Sequence, residues 1–352
     1  MDLQSNWKSV LQTLSTSAST VDSQWIKRHR KVDTLKLITC MLTCLQHKVS
    51  IKSIIDTIDS CDFSHTAFTK ALNRCPEDVF HSMYRRLVGS TTRSRVLAVD
   101  GSRIPLTKSQ TGTRAGRTRS TPMGLLSAIY DVNTKVIVAL DFSEHYDERS
   151  ALKRMTTYVK AGDILVMDRG YFSEDLVALL YSQGIRFVFR MKDKVGTKKF
   201  KSIGNNIYRT TKHTPVVITK YNAGGTLFRV LHSMKISATQ AKNIYKQRWD
   251  IEEVFKTLKC TIRMNASHLR THAKTTFKKQ MWVCACMHYL QQRVVHNITR
   301  NPNNRRPPNG VQVVKWLMYK LCGGHSDRVR FCEMYSVTGN RRRRNRAEHA
   351  PT

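Results

Sequence analysis

The chain has 352 residues, and its 60 Lys or Arg residues outnumber its 25 Asp or Glu residues, which gives a formal net charge of +35. Its hydrophobic content of 40% excludes a disordered chain and is enough for two or three domains with a substantial core. Because self-repulsion at this charge destabilises a compact state, the composition favours a polyanionic partner, and nucleic acid is the leading candidate.

The sequence shows no sign of export or of a membrane anchor. The N-terminal segment MDLQSNWKSV has no apolar core, and the longest apolar run, residues 281–290, has about half the length of a membrane-spanning helix. The cations are spread along the whole chain, which disfavours a membrane surface bound through one basic helix. The nine cysteines are irregularly spaced and lack a zinc-type pattern, so we expect reduced thiols and an intracellular protein.

Residues 1–90 are predicted to form a helical N-terminal domain. Apolar residues recur at helical spacing in residues 32–46 and 50–58, and residues 76–88 begin with Pro and two acids and turn basic towards their end. The connecting segments are rich in Ser, Thr, Lys and Arg. This pattern suits a DNA-contacting module, and an ordinary helical subdomain is the alternative.

After this domain the sequence predicts strands that alternate with helices. RVLAVD (95–100) and DILVMD (163–168) are short strands of the buried type, and each ends in an acidic residue. Residues 123–142 are predicted to form a β-hairpin with an Asn-Thr turn. Two helices and a further strand complete this part, at residues 148–160, 173–184 and 185–192. The order predicts an α/β fold with a mixed sheet flanked by helices.

The second half of the chain is predicted to contain a β-rich insertion and three helices. A helix at 243–259 follows the insertion, an apolar helix follows at 274–298, and a PPNG break at 307–310 precedes the last helix. The block RRRRNR at 341–346 is expected to be disordered and to contact phosphates. The predicted segments are a helical domain at 1–90, an α/β core at 91–192 and 239–300, a β-rich insertion at 193–238, and a helical and basic tail at 301–352.

The helix NIYKQRWDIEEVFKTLK at 243–259 carries acidic residues among cations. At about 100° per residue, one face presents five polar side chains and a separate arc presents the apolar ones. The polar face consists of Tyr245, Arg248, Glu252, Lys256 and Lys259. The neighbouring Glu253 points about 100° away from Glu252. A solvated face with ion pairs between successive turns is the alternative explanation.

Three acidic residues stand where the fold would bring them together. Reactive groups collect at the carboxyl ends of strands in an α/β sheet, so parallel pairing of the two strands would bring Asp100 beside Asp168. A helix across that edge would add Glu252. Three carboxylates repel one another unless cations neutralise them, and Mg²⁺ or Mn²⁺ suits oxygen ligands. Each Asp alone has a simpler explanation, a turn after its strand or, for Asp168, a pair with Arg169.

These motifs resemble those of DDE transposases of the IS4 type. VDGS at 99–102 resembles the first-Asp motif of that family, and MDRGYFS at 167–173 resembles the second. The third motif is the YREK signature, reproduced without a gap by Tyr245, Arg248, Glu252 and Lys259. The resemblance covers about residues 90–295 and is weak outside this range.

The resemblance implies an RNase H-like catalytic domain with a β-rich insertion before the catalytic helix. It implies that Asp100, Asp168 and Glu252 are the catalytic residues and bind two Mg²⁺ ions per active site, with Mn²⁺ as a substitute. Two such ions about 3.5–4 Å apart would stabilise both the attacking and the leaving oxygen of a phosphodiester displacement.

The resemblance also implies a set of DNA contacts beside the acids. Tyr245, Arg248 and Lys259 would contact phosphates at the end of the element. Lys256 lies on the same face and is a further candidate for DNA binding. Trp249 borders the face and would stack on a base, although core packing is the more common role for such a ring.

The implied reaction is cut-and-paste transposition of double-stranded DNA. Water activated by metal would nick the terminal inverted repeats, the freed 3′-OH would form a hairpin with the opposite strand, and the reopened end would join target DNA. Synapsis of two ends implies a homodimer, and no membrane is involved. The protein would be DNA-associated, in the cytoplasm or nucleoid of a bacterium or in the nucleus of a eukaryote. Two alternatives stay open, a domesticated or inactive DNA-binding relative and another RNase H-like nuclease.

Overall fold

The computed structural model describes residues 3–28, 30–57, 62–90, 93–105, 123–191, 200–204, 206–264, 274–299 and 308–322. The predicted basic block at 341–346 and most of the predicted tail at 301–352 lie outside the described residues, as does the start of the predicted insertion.

A mixed sheet forms the centre of the molecule. Its nine strands in the described residues are β1 Val96–Pro105, β2 Met123–Asp131, β3 Val136–Ser143, β4 Ile164–Met167, β5 Arg186–Arg190, β6 Lys201–Gly204, β7 Ile207–Arg209, β8 Pro215–Ala223 and β9 Thr226–His232. They lie in the order β3-β2-β1-β4-β5-β9-β8-β7-β6. Strand β4 pairs in parallel with both β1 and β5, and the other pairs are antiparallel. The predicted mixed sheet is therefore confirmed.

Helices cover both faces of the sheet. The described part of the chain contains α1 Leu3–Trp25, α2 Thr34–His47, α3 Ile51–Thr57, α4 His65–Arg74, α5 Asp78–Val88, α6 Glu148–Met155, α7 Glu174–Ser182, α8 Ala238–Lys246, α9 Asp250–Lys256, α10 Lys274–Thr299 and α11 Gly310–Leu321. Side-chain caps fix several of the starts. Ser173 accepts a hydrogen bond from the Leu176 amide, and Ser237 forms a capping box with Gln240. None of these helices is long and apolar enough to cross a membrane.

The alternation of side chains along β1 divides the interior into two hydrophobic clusters. Leu97 and Val99 pack with side chains of α6 and α7 on one face of the sheet. Ala98 packs on the other face with α9, α10 and the N-terminal helices. Helix α10 joins these helices to the sheet, since its Trp282 ring contacts the Tyr84 ring of α5. The sheet edge that carries the predicted acids is thereby held from both sides.

The first predicted strand is longer than expected, and the prediction that Asp100 closes it is wrong. Strand β1 continues to Pro105 because residues 101–105 pair with β2, from Gly101 opposite Ser127 to Pro105 opposite Met123. Asp100 is therefore a mid-strand residue. Asp168, by contrast, comes directly after β4 as predicted.

The predicted helix at 243–259 is a series of helical segments rather than one regular helix. A 3₁₀ turn at Gln247–Trp249 separates α8 from α9, and a π-helical turn at Thr257–Thr261 follows α9. Such turns change the angular step between residues, so a regular wheel does not describe the whole segment. The predicted apolar arc is nevertheless buried at Ile251, Val254, Phe255 and Leu258.

Candidate active site

Asp100 lies within β1, and Asp168 comes directly after the neighbouring parallel strand β4. Val99 pairs with Met167, so the residue that follows each member of this pair is an aspartate. Burial raises the pKa of the Asp100 carboxyl, and the charges of Glu252 and Asp168 raise it further, whereas the Gly101 amide and Arg248 act in the opposite direction. These electrostatic effects indicate that the three predicted acids share one neighbourhood.

Arg248 links two of the acids directly. One of its guanidinium nitrogens lies 3.2 Å from Oδ2 of Asp100, and another lies 2.6 Å from Oε1 of Glu252. Arg248 is only 8% exposed and comes from the 3₁₀ turn that precedes α9. A buried cation between two carboxylates offsets their mutual repulsion.

Tyr245 reaches the remaining acid. Its hydroxyl donates to Oδ1 of Asp168 over 3.3 Å from the last turn of α8. Burial raises the pKa of Tyr245 to about 12, and the charge of Asp168 contributes to the rise. The phenol therefore keeps its proton at neutral pH and can act as a hydrogen-bond donor.

Lys259 is held against β1 next to these residues. It lies in the π-helical turn after α9, and its ammonium group donates to the Ser102 hydroxyl and, over 2.7 Å, to the Arg103 carbonyl. Burial lowers the pKa of Lys259. The Lys259 ammonium group therefore lies beside β1 at Ser102, two residues after Asp100.

Comparison with known proteins identifies the family. The family described as transposase DDE domain matches residues 91–290, which is more than half of the chain. The chain belongs to this family. A search of curated proteins found no match. DDE transposases act on DNA and generally use divalent metal ions. The matched range includes all of the predicted site residues, namely Asp100, Asp168, Tyr245, Arg248, Trp249, Glu252, Lys256 and Lys259.

Lys256 and Trp249, two of the residues predicted to contact DNA, lie in environments that differ from the predicted ones. Lys256 forms an exposed ion pair of 3.2 Å with Glu253 and so does not join the group around Glu252. Trp249 is 60% exposed, so the core-packing role considered for it is wrong. The guanidinium group of Arg248 lies 5.5 Å from the centroid of the Trp249 ring. The ring therefore borders the acid group from the solvent side.

One further acidic residue of the DDE domain lies beside both Asp motifs and carries no sequence motif of its own. Glu148, the first residue of α6, lies against Gly101 and Gly170, each of which belongs to an Asp motif. The sequence gives little indication of Glu148, because an acidic residue in the first turn of a helix is common. The glycines after Asp100 and Asp168 were the better indication, since glycine leaves room for a close neighbour.

The donor chemistry of this region of the DDE domain fits a divalent cation. Carboxylate oxygens are the ligands that hard ions such as Mg²⁺ prefer. In the described part of the chain, however, no group of three or more His, Cys, Asp and Glu side chains stands close enough to hold a metal ion. The Arg248 guanidinium lies between Asp100 and Glu252 and pairs with both. The residues fit such an ion by type.

Proposed function

We propose that this protein is a cut-and-paste DNA transposase of the IS4 type, with Asp100, Asp168 and Glu252 as its catalytic acids. One observation carries the proposal. The Tyr and Arg of the YREK signature contact the aspartates of the two other motifs, although these lie far away in sequence. A regular solvated helix would not need either contact. The motifs that the sequence presents separately therefore act as one site.

The arrangement of the strands supports an RNase H-like core. In the order β3-β2-β1-β4-β5, the first three strands are antiparallel and the last two run parallel to β1. Strands β6–β9 extend the same sheet through pairing of β5 with β9, and they precede α8 and α9 in the chain. We assign these strands to the β-rich insertion at 193–238. The catalytic core then comprises residues 91–192 and 239–300.

The proposed cofactor is a pair of Mg²⁺ ions, for which Mn²⁺ would substitute. Asp100, Asp168 and Glu252 would hold them through carboxylate oxygens. When bound, the ions supply stabilisation of negative charge on the attacking and leaving oxygens of the scissile phosphodiester. The Tyr245 hydroxyl fixes the orientation of the Asp168 carboxylate by its hydrogen bond.

The cationic residues of the site are assigned to DNA phosphates. Arg248 presents a planar guanidinium whose paired donors match phosphate oxygens, and Lys259 supplies a point charge beside β1. Trp249 offers an exposed ring for stacking on a base. Lys256 adds a further cation on the exposed surface of α9. Phosphate binding would draw Arg248 away from the acids that it bridges.

In the proposed reaction, hydrolysis breaks the bond between phosphorus and the 3′-oxygen at the end of the element. Water supplies the new oxygen on the 5′-phosphate. The freed 3′-OH then attacks a phosphodiester of the opposite strand, which forms a hairpin and releases the 3′-OH of the flanking DNA. A second water hydrolyses the hairpin and regenerates the 3′-OH, whose attack on a phosphodiester of target DNA joins the strands and releases a 3′-OH of the target. Two ends must be handled together, so we propose a homodimer in the synaptic complex and a role in DNA binding for residues 1–90 and the basic tail.

A DNA-binding relative without cleavage is the second candidate. The observation that favours it is the Arg248 bridge, since a cation built into the site neutralises the acids without a metal. The two candidates share the DNA contacts and differ only in the need for a divalent ion.

The test uses full-length protein and labelled duplexes that carry the DNA on either side of the coding region. The transposase is expected to nick one strand at a defined inverted repeat in Mg²⁺ and not in EDTA. Binding without cleavage under all metal conditions would favour the inactive relative. Cleavage that ignores the terminal repeats would favour another nuclease of similar fold.

A further inference from the structure

Glu148 occupies an unusual position for an acid at the start of a helix. It is the first residue of α6 and follows the N-cap residue Asp147. The Asp147 side chain already accepts hydrogen bonds from the amides of Arg149 and Ser150. An acid in the first turn stabilises a helix even when it is fully exposed. Glu148 instead is half-buried, and its Oε1 accepts a hydrogen bond of 3.1 Å from the Tyr146 hydroxyl.

Two glycines make room for the Glu148 side chain. A Cβ atom on Gly101 would lie 2.8 Å from Cδ1 of Leu125, 3.0 Å from Oε1 of Glu148 and 3.1 Å from its Cγ, and one on Gly170 would lie 3.3 Å from Oε2 of Glu148. Neither glycine has a positive φ angle, so space rather than backbone conformation explains them. Gly101 follows Asp100, and Gly170 comes two residues after Asp168. The Glu148 carboxylate therefore lies between the two chain segments that carry the catalytic aspartates.

The charges at this position are unfavourable without a cation. Burial raises the pKa of Glu148, and the negative charges of Asp100 and Asp168 raise it further, whereas the hydrogen bond from Tyr146 and the charge of Arg103 act in the opposite direction. Arg103 itself stacks on the exposed Tyr146 ring, 4.7 Å from its centroid. Like charges held together in a partly buried place are costly unless a cation binds them.

A buried hydroxyl faces the same group of acids. Tyr171 is fully buried at 0% exposure, and its hydroxyl has no hydrogen-bond partner within the described ranges. The charges of Glu148 and Asp100 act on it and, after burial itself, raise its pKa. Buried polar groups are almost always satisfied, so an unpaired hydroxyl beside the acids points to a ligand shared with them.

We propose that Glu148 is a fourth carboxylate of the active site, which faces the space between Asp100 and Asp168 as an additional oxygen ligand for the divalent cation. The inference rests on the proposed function of this site. Helix α9 supplies Glu252 from one face of the sheet, and α6 supplies Glu148 from the other.

The test measures Mn²⁺ binding to the full-length protein by titration calorimetry, independently of cleavage. Glu148→Gln and Glu148→Asp are each expected to weaken Mn²⁺ binding about tenfold or more, and Asp168→Asn is expected to weaken it as well. Glu253→Gln removes the same charge from an exposed position and should bind as the wild type does. Glu148→Asp retains the negative charge at the start of α6, so a purely helix-stabilising role predicts normal binding for it.

The outcomes separate this inference from the proposed function. If both Glu148 variants bind Mn²⁺ like Glu253→Gln while Asp168→Asn does not, the fourth ligand is wrong and the three-acid site stands. If the wild type itself binds no Mn²⁺, the metal-dependent function and this inference are both wrong. Thermal unfolding in metal-free buffer identifies any variant that fails to fold, in which case the other Glu148 variant decides.

Discussion

Arg248 contacts Asp100 and Glu252 through different nitrogens of one guanidinium group, at 3.2 Å and 2.6 Å. The two acids lie on a central strand and on a helix, so the contact joins the sheet to α9 at the site itself. The same arginine is also assigned to a DNA phosphate. The contacts of Arg248 with the two acids and its proposed contact with a phosphate compete for the same guanidinium nitrogens. Binding of DNA would therefore weaken the bridge between the acids.

The first prediction concerns this bridge. Arg248→Gln leaves two carboxylates without their cation, so the free energy of unfolding in metal-free buffer should fall by about 1–3 kcal/mol. Mg²⁺ should restore part of the loss and should stabilise the variant more than it stabilises the wild type, since the guanidinium no longer competes for the acids. Urea unfolding with and without Mg²⁺ measures both effects. Equal stabilisation of the two proteins by Mg²⁺ would show that Arg248 and the ion do not share ligands.

The second prediction concerns the acids. Asp100→Ala, Asp168→Ala and Glu252→Gln should each lower the rate of strand nicking in Mg²⁺ by at least about a hundredfold, because each removes a ligand from ions that supply several kcal/mol of charge stabilisation. Gel-shift measurements should show DNA affinity close to that of the wild type, since the cations remain. Glu253→Gln is the matched control and should nick at a nearly normal rate. An equally inactive Glu253 variant would mean that the wrong carboxylate of α9 was chosen.

The location of Asp168 could be predicted because it depends on local sequence alone. A short apolar run followed by an acid and a turn identifies a buried strand and its end. The end of β1 could not be predicted in this way, because its extension past Asp100 depends on pairing with residues 123–127 of β2, which are distant in the chain. Register between strands is a tertiary property.

The helical segment at 243–259 shows the same limit. Its apolar arc could be predicted from helical periodicity, and Ile251 and Leu258 are buried accordingly. The 3₁₀ and π-helical turns leave no mark in that periodicity, although the π turn positions Lys259 against Ser102 and Arg103. Exposure of Trp249 was not predictable either, because it depends on which neighbouring elements cover the start of α9.

The third prediction concerns the exposed ring. Trp249→Ala should weaken binding of the terminal DNA by about 1–3 kcal/mol, the usual contribution of one stacked base, and Trp249→Phe should retain part of it. Because Trp249 is 60% exposed, stability should change little. Fluorescence anisotropy with labelled duplexes measures the affinity. Tyr181→Ala, which removes another exposed ring from the last turn of α7, serves as the control. If Trp249→Ala and Tyr181→Ala bind the duplex with equal affinity, Trp249 does not stack on a base.

The fourth prediction concerns the ion pair that joins the starts of β1 and β4. Asp163 lies just before β4, and Arg95 lies just before β1. The Asp163 carboxylate accepts a hydrogen bond of 2.6 Å from the Arg95 guanidinium and one of 2.9 Å from the Arg95 amide. Burial opposes ionisation of Asp163, yet its hydrogen bonds from Arg95 and from the Lys160 amide hold its pKa below the ordinary value. A lowered native pKa means that the pair contributes its full stability above the unfolded pKa of about 4 and loses it as the pH falls below that value.

Asp163→Asn should therefore lower the free energy of unfolding at pH 7 by about 2–4 kcal/mol, because it leaves the largely covered Arg95 guanidinium, 11% exposed, without its counter-charge. Asp141→Asn is the matched control, since Asp141 and Arg154 form an ion pair of the same length, 2.6 Å, at a more exposed place. Its loss should be below about 1 kcal/mol. Urea titrations at pH 7 and at pH 3 should show the difference between the two variants at pH 7 and a smaller one at pH 3. If Asp163→Asn is as stable as Asp141→Asn at pH 7, the register that brings Asp100 beside Asp168 is set by the strand pairing and the hydrophobic clusters without this pair.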